Sequence, residues 1–215
     1  MYVGTAGRTL NVVNRTIQHY SDKAQHYFAL YNSVDAEKVH NDWNTFLDNT
    51  KPGMALDVGA GSGRDANWLA QKGWQVIAVE PADGLRELAQ HRAHNNVNWC
   101  KASLPTLEAT SITNKQFDLI LLSAVWMHLP AEVRPLALAR LATLLSPSGK
   151  MYISLRFGPN DEARPMHPVS YEELEALASE NRLVARNLSP VPTQDTLSRK
   201  EVAWVTAELI REEAE

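Results

Sequence analysis

The sequence has a single cysteine, no long apolar run and no excess of positive charge. With Cys100 alone, no disulfide can form within the chain, which predicts a reducing, cytoplasmic compartment. The longest apolar runs, such as residues 119–125, are far shorter than the ~20 residues that span a bilayer. The first residues also lack the basic start and apolar run of a secretory signal. These absences predict a soluble protein without a membrane partner.

The charged residues are nearly balanced, with 21 Lys and Arg against 25 Asp and Glu in 215 residues. Such a balance provides no basic footprint for a phosphate backbone, so it disfavours nucleic acid as a partner. The His and Cys residues show no zinc-ligand spacing, so no metal site is predicted. The composition leaves the oligomeric state open.

Hydrophobic residues recur at helical spacing before residue 50 and in short apolar runs after it. The first region predicts an amphipathic helix over 11–31 and a second one from Asp35, together an N-terminal helical cap at residues 1–50. Residues 51–215 predict one compact domain in which strands and helices alternate, with strands near 54–58, 75–79, 97–101, 117–123, 150–154, 183–188 and 202–208. This alternation predicts a doubly wound, Rossmann-like α/β fold, with a seven-stranded, mostly parallel sheet between two layers of helices.

A glycine-rich turn joins the first strand of this domain to its first helix. Residues 55–65 read ALDVGAGSGRD, which places Gly59, Gly61 and Gly63 at alternate positions. Glycines at such a junction let the backbone turn tightly and approach a ligand without a Cβ in the way. The second strand ends in Glu80, 21 residues after Gly59, where doubly wound folds place the acid that bonds ribose hydroxyls. The turn therefore predicts a nucleotide-binding site.

The spacing of the glycines argues against two common nucleotide motifs. The dinucleotide fingerprint G-x-G-x-x-G requires a third glycine where this chain has Arg64. The P-loop pattern G-x-x-x-x-G-K-[ST] is absent from the sequence. A nicotinamide oxidoreductase and a P-loop nucleotidase are both disfavoured.

Four segments, in the right order and spacing, resemble the class I S-adenosylmethionine-dependent methyltransferases of the small type 11 or 12 kind. The glycine turn resembles their motif I, and residues 79–81, Val-Glu-Pro, resemble the acidic end of their second strand. Residues 117–130 resemble their fourth strand and the following loop, and residues 144–154 resemble their LL.PGG turn and fifth strand. The resemblance implies a C-terminal antiparallel hairpin, S-adenosylmethionine as cofactor and S-adenosylhomocysteine as product.

The resemblance also implies which residues hold the cofactor: Tyr27, Tyr31, Asp57, Gly59, Ala60, Gly61, Gly63, Arg64, Glu80, Pro81, Ala102, Ser103, Ser123, Ala124 and Trp126. Asp57 and the glycine turn would face the methionine end, and either Arg64 or Arg86 would pair with its carboxylate. No acid follows the third strand, so Ala102 or Ser103 would contact the adenine. Trp126 would pack on the cationic sulfur or, alternatively, in the core.

Three residues are candidates for the acceptor side of the site. His128 follows the fourth strand and would serve as a general base or simply cap the next helix. Arg156, at the end of the fifth strand, would bind the substrate or form a surface ion pair, and His167 lies in the long loop 157–169. Loops of that length in compact domains are usually functional. We therefore expect a small-molecule acceptor between the N-terminal helix, the loop after His128 and the loop 157–169.

Two further functions stay open with the same cofactor. The acceptor could be RNA, DNA or protein, although residues 123–126, Ser-Ala-Val-Trp, lack the motif [D/N/S]-P-P-[F/Y/W] of amino-methylating DNA enzymes. The chain could instead be a non-catalytic module that senses the cofactor. The sequence favours transfer of a methyl group to a small molecule by in-line displacement.

Overall fold

The computed structural model describes residues 4–212 and, within residues 4–12, the backbone alone. Four helices precede the sheet: α1 (Gly4–Asp22), α2 (Ala24–Tyr31), α3 (Ala36–Val39) and α4 (Thr45–Asp48). The helix predicted over 11–31 is interrupted at Lys23, where the chain turns so that Ala24 and Tyr27 pack against the domain. The second predicted helix is two short ones, because the turn between them lets both Trp43 and Leu47 reach the core.

The predicted cap at residues 1–50 coincides with this helical region, although residues 1–3 lie outside the described part of the chain. Its boundary with the domain stays a prediction. Within residues 4–212, no helix is long and apolar enough to cross a membrane.

The remaining elements form the predicted α/β sandwich. Its strands are β1 (Met54–Val58), β2 (Gln75–Val79), β3 (Val97–Cys100), β4 (Phe117–Leu122), β5 (Leu145–Phe157), β6 (Leu183–Asn187), β7 (Thr193–Gln194) and β8 (Ala203–Arg211). Its helices are α5 (Arg64–Gln71), α6 (Asp83–Gln90), α7 (Arg134–Leu144) and α8 (Tyr171–Glu180). The strand order is β3-β2-β1-β4-β5-β8-β6, and β1 to β5 pair in parallel while β8 is antiparallel to β5 and β6. The predicted doubly wound fold with an antiparallel C-terminal hairpin is confirmed.

Strand β4 shows why the sheet is covered on both sides. Its side chains alternate, so that Leu119 and Leu121 join the apolar cluster that includes α5, whereas Ile120 and Leu122 join the cluster that includes α7 and α8. All four are fully or almost fully buried. A continuous apolar run in a parallel strand is what burial on both faces requires.

The structure differs from the prediction at its C-terminal edge. Strand β5 covers 13 residues rather than the predicted 150–154, since β8 pairs with it from Lys150 to Phe157. The sheet has eight strands instead of seven, because the two-residue β7 also pairs with β8. Both differences come from pairing with a distant partner, which local sequence patterns do not report.

Strand order reverses between β1 and β4. Strands β2 and β3 lie on one side of β1, whereas β4, the next strand along the chain, pairs with the other side of β1. The carboxyl ends of strands flanking such a reversal form a crevice. The glycine turn after β1, Glu80 after β2 and Ser123 after β4 all lie at this edge.

Candidate functional site

Gly59 and Gly61 of the glycine turn differ in how closely other atoms approach the position of a Cβ. Gly59 has a φ of +70°, and a Cβ there would lie 2.6 Å from Val125 Cγ2, so no side chain fits. Gly61 has a φ of +56°, yet the nearest atoms to its Cβ position, Gly59 O and Tyr31 Cδ2, are 3.8 Å away. A Cβ at Gly61 would therefore make only ordinary van der Waals contacts, and its absence leaves room for close approach by a ligand.

Glu80 is bound to the same turn through both carboxylate oxygens. Its Oε2 accepts a hydrogen bond from Gly61 N at 2.8 Å, and its Oε1 accepts one from Ala82 N at 2.8 Å. Burial raises the pKa of Glu80 to about 7, although these two N–H groups and Arg86 act in the opposite direction. The carboxylate is thus held rigidly at the edge of the sheet, with lone pairs left to accept hydrogen bonds from a ligand.

Two buried acids lie below the turn, and the pKa values of their carboxyl groups are shifted in opposite directions. Asp57 is 1% exposed, and its Oδ2 has no hydrogen-bond partner among the described residues. Burial and the nearby Asp65 raise the pKa of Asp57 well above its usual value. Burial opposes ionisation of Asp65 as well, but the Arg64 guanidinium and the His40 ring lower its pKa overall. The Asp57 carboxyl therefore has a backbone hydrogen bond from Ala66, while its Oδ2 is buried without a partner in the described part of the chain.

The Arg64 guanidinium already forms an ion pair within the protein. Its Nε and Nη2 donate to the two oxygens of Asp65 at 2.7 and 2.9 Å, in a bidentate pair. Arg86, the other candidate partner for a ligand carboxylate, donates to Glu80 O and to Asp83. Arg64, unlike Arg86, lines a cavity at this edge of the sheet.

A cavity of about 530 Å³ extends along this edge of the sheet. Twelve of the predicted site residues line it: Tyr31, Gly59, Ala60, Gly61, Arg64, Glu80, Pro81, Ala102, Ser103, Ser123, Ala124 and His128. This volume lies within the roughly 300–1,000 Å³ typical of small-molecule sites. The tertiary structure thus brings together most of the residues named from the sequence.

Ala124 shows local backbone strain in the wall of the cavity. Its φ is 59°, a left-handed conformation that is rare for a residue with a Cβ. Its N–H donates to Ser154 Oγ at 2.7 Å, which holds the loop after β4 against the end of β5. Strained backbone is most often found at binding and catalytic sites.

Four predicted cofactor residues do not line the cavity. Asp57 lies beneath the turn, and the Cβ position of Gly63 would be 2.8 Å from Trp99 Cζ2 rather than facing open space. Tyr27 is 7% exposed and its hydroxyl bonds His19 Nε2 at 2.9 Å. Trp126 is fully buried in the apolar cluster that includes α7 and α8, which favours the core alternative for this ring.

Two predicted acceptor-side residues also lie outside the lining. The Arg156 guanidinium is buried and donates to Pro159 O at 3.0 Å, while its Nε has no partner in the described part of the chain. His167 donates its backbone N–H to Met127 O at 2.7 Å. Residues 157–169 are all described, and none of them lines the cavity. Roles for Arg156 and His167 stay predictions, without contact to the cavity in their support.

His128 does line the cavity, and it is paired with Tyr20 from α1. Its Nε2 lies 3.1 Å from Tyr20 Oη, and its Nδ1 lies 3.1 Å from Pro165 O. Burial lowers the pKa of His128 to about 4, and the nearby Arg164 contributes to the shift. The ring is therefore neutral near pH 7, with one nitrogen facing the Tyr20 hydroxyl.

Several residues that line the cavity were not predicted from the sequence. Tyr20 belongs to a stripe of rings at helical spacing, which reads as core, and its partner His128 is 108 residues away. The far side of the cavity is formed by residues 38–43 and 193–197, together with Tyr152, Ser154, Trp204 and Thr206. Residues 193–197 belong to a polar segment before β8, which indicates a turn and does not by itself indicate a ligand site.

Residues 56–153 match a family model described as a methyltransferase domain. An uncharacterized methyltransferase of Alkaliphilus oremlandii (strain OhILAs) is 32% identical over 110 residues, which are 50% of this chain and 48% of that protein. The chain therefore spans about half the length of this curated relative.

Solved methyltransferases share the fold at low sequence identity. The magnesium protoporphyrin IX methyltransferase ChlM of Synechocystis, solved with bound S-adenosylhomocysteine (SAH), superposes with a TM-score of 0.63 at 16% identity, covering 91% of this chain and 98% of its own. A Burkholderia thailandensis 1,6-didemethyltoxoflavin-N1-methyltransferase, solved with 1,6-didemethyltoxoflavin and S-adenosylhomocysteine, gives 0.60 at 20% identity over 88% and 91% of the two chains. At these identities the likeness establishes the fold.

Proposed function

We propose that this chain, whose residues 56–153 match a methyltransferase-domain model, transfers a methyl group from S-adenosylmethionine to a small-molecule acceptor. The observation that carries the proposal is the continuity of one cavity, which joins the Gly61–Glu80 cradle to the Tyr20–His128 pair. A cofactor cradle and a proton acceptor in one enclosed space are what a methyl transfer coupled to proton loss requires.

The residues of the cradle fit the proposed cofactor. The fixed carboxylate of Glu80 can accept hydrogen bonds from ribose hydroxyls, and the buried Asp57 Oδ2, beneath the glycine turn, has no hydrogen-bond partner in the described part of the chain. Ala102 and Ser103 line the same cavity, and we assign them to the adenine. When bound, S-adenosylmethionine supplies an electrophilic methyl group, and the protein mainly positions the acceptor and excludes water.

Tyr20 and His128 would take the proton that the acceptor loses. As the acceptor's proton passes to Tyr20 Oη, the phenol's own proton passes to His128 Nε2, 3.1 Å away. The resulting imidazolium keeps its Nδ1 proton on Pro165 O. A neutral ring of low pKa is a weak base, and it suffices because a nucleophile becomes far more acidic as it gains the methyl group.

Three observations support a small acceptor. The cavity has the size of a small-molecule site, the charge balance is unsuited to polyanions, and the two structural neighbours are named for small-molecule acceptors, a porphyrin and a toxoflavin precursor. RNA, DNA or protein as the acceptor, and a non-catalytic binding role, are the alternatives. We also propose a cytoplasmic location, in keeping with one unpaired Cys100.

Calorimetry with S-adenosylmethionine and S-adenosylhomocysteine tests the cofactor, with NAD as the comparison ligand. Absence of binding, or tighter binding of NAD, would contradict the proposal. Turnover of labelled S-adenosylmethionine with a metabolite panel, and separately with RNA, DNA and protein, tests the acceptor class. Binding without any turnover would favour the sensing module.

Tyr20→Phe and His128→Gln test the proton acceptor. We expect each to lower kcat by about 10²-fold or more, with S-adenosylhomocysteine affinity unchanged. Tyr171→Phe is the matched control, because it removes a hydroxyl that donates to Ala185 O on the opposite side of the domain. Wild-type kcat in both site variants would remove the pair from the mechanism.

A further inference from the structure

The loop 157–169 holds both ends of the Tyr20–His128 pair although it does not line the cavity. Arg164 Nη1 donates to Tyr20 Oη at 2.9 Å, and the next residue, Pro165, accepts from His128 Nδ1 at 3.1 Å. The complete chain of hydrogen bonds therefore begins and ends at adjacent residues of one loop. This contact is separate from the cradle that binds the cofactor.

The chemistry of these two end groups fixes the direction of every proton in the chain. A guanidinium is always a donor and a carbonyl oxygen is always an acceptor. His128 Nδ1 must then carry its proton toward Pro165, which leaves Nε2 of the neutral ring as an acceptor. Tyr20 Oη accepts from Arg164, so its single proton is directed to Nε2. Tyr31 Oη donates to the second lone pair of Tyr20 Oη at 3.5 Å, a long contact that the acceptor's donor group would replace when it binds.

We propose that Arg164 is a positioning residue, which orients the Tyr20 hydroxyl toward His128 and stabilises the partial negative charge on Tyr20 Oη while one proton leaves it and the acceptor's proton arrives. The inference rests on the proposed function, since it assigns a role within that reaction. Arg164 would act through Tyr20, because its side chain lies behind the ring and outside the cavity lining.

Arg164 is itself held in place. Its Nε donates to Asp161 Oδ2 at 2.9 Å, and its side chain is 14% exposed. The guanidinium carbon lies 5.4 Å from the Tyr27 ring centre and 5.9 Å from that of Tyr20, within cation–π range. Arg164 of the loop thus contacts α1 through Tyr20 and α2 through Tyr27. The proton acceptor is therefore complete when α1 and the loop are docked together.

The first test needs no acceptor and reads His128 directly. Long-range ¹H–¹⁵N spectra of the wild-type protein with S-adenosylhomocysteine should show the ring protonated at Nδ1, with Nε2 bare. A ring protonated at Nε2 would overturn the inference, because the Tyr20 proton could not then point to it.

The second test separates the charge of Arg164 from its geometry. The titratable and charged groups that face His128 are Tyr20, Arg156, Arg164 and His167. Arg164→Gln removes one cation, so the ring should titrate at higher pH than in the wild type, as followed by NMR. Arg164→Lys keeps the charge and should leave this titration close to the wild-type value. An unchanged titration in Arg164→Gln would count against a guanidinium close to the pair.

The third test measures kcat and KM with an acceptor from the metabolite panel. Both Arg164 variants should lose about tenfold or more in kcat, with S-adenosylhomocysteine affinity and acceptor KM within twofold of wild type. Arg92→Gln is the control, because Arg92 packs on the Phe28 ring of the cap at 5.3 Å and does not line the cavity. An equal loss in Arg92→Gln, or wild-type kcat in Arg164→Lys, would overturn the positioning role. Failure of the wild-type protein to bind S-adenosylhomocysteine would instead contradict the proposed function.

Discussion

Affinity for S-adenosylhomocysteine should rise with pH through about 7, because Glu80 titrates in that range. Burial raises the pKa of Glu80 to about 7 in the ligand-free protein. Ribose hydroxyls donate hydrogen bonds, so a ligand bound through them stabilises the ionised carboxylate and lowers this pKa. A ligand that prefers the ionised form binds more tightly as pH rises, and below pH 7 its binding releases a proton.

The magnitude follows from the titration of this one group. If the ionised form alone binds, affinity falls about tenfold between pH 8 and pH 6, which corresponds to about 1.4 kcal/mol. Glu80→Gln should abolish this dependence. It should also weaken binding at pH 8 by about 1–3 kcal/mol, since one amide oxygen cannot accept from both Gly61 N and Ala82 N.

Calorimetry at pH 6, 7 and 8, in two buffers of different ionisation enthalpy, measures both affinity and the number of protons released. Glu87→Gln is the matched control, because it removes an exposed carboxylate from α6, close to Glu80 in sequence. Equal wild-type affinity at pH 6 and pH 8 without proton release would refute the reasoning. Retention of the full pH dependence in Glu80→Gln would show that another group titrates.

Three further variants test the cradle, the backbone that supports it and the N-terminal cap separately. Gly61→Ala should fold, with a cost of about 1–2 kcal/mol in folding free energy for its left-handed backbone. It should bind S-adenosylhomocysteine about tenfold more weakly by calorimetry, because Gly61 lines the cavity. Gly59→Ala should instead lower the thermal midpoint much further, because its Cβ would lie 2.6 Å from Val125 Cγ2. Equal thermal midpoints would contradict this assignment. Deletion of residues 1–32 should abolish turnover and preserve the circular dichroism of the sheet, which begins at Met54; loss of the sheet signal would show that the cap is part of the folding unit.

Local sequence patterns predicted the elements that form because of interactions between neighbouring residues. The glycine turn could be located because Gly59 and Gly61 require positive φ at a strand end. Ser170 and Glu173 have the spacing of a capping box, and the Ser170 side chain accepts a hydrogen bond from Glu173 N at the start of α8. The apolar run of β4 indicated a strand buried on both faces, which its alternating packing explains.

The less accurate predictions concern contacts between distant parts of the chain. Strand β5 was predicted too short because its second half is defined by pairing with β8. Trp126 stayed ambiguous because a ring after β4 can face either the crevice or the core, and packing against α7 and α8 favours the core. The loop 157–169 was expected to form a wall of the cavity, and its contacts lie behind that wall instead.

The sequence by itself determined the fold and the cradle, since the turn, Glu80 and the alternating strands are encoded within short segments that the parallel sheet then aligns at one edge. The tertiary structure alone brought together the groups that we propose for the acceptor side. Tyr20 lies 108 residues from His128 and 144 residues from Arg164, and each of them, alone in its segment, is equally consistent with a packing role. Proton direction depends on which groups surround a hydroxyl in space, and that arrangement exists when the cap helix and the loop dock over the sheet.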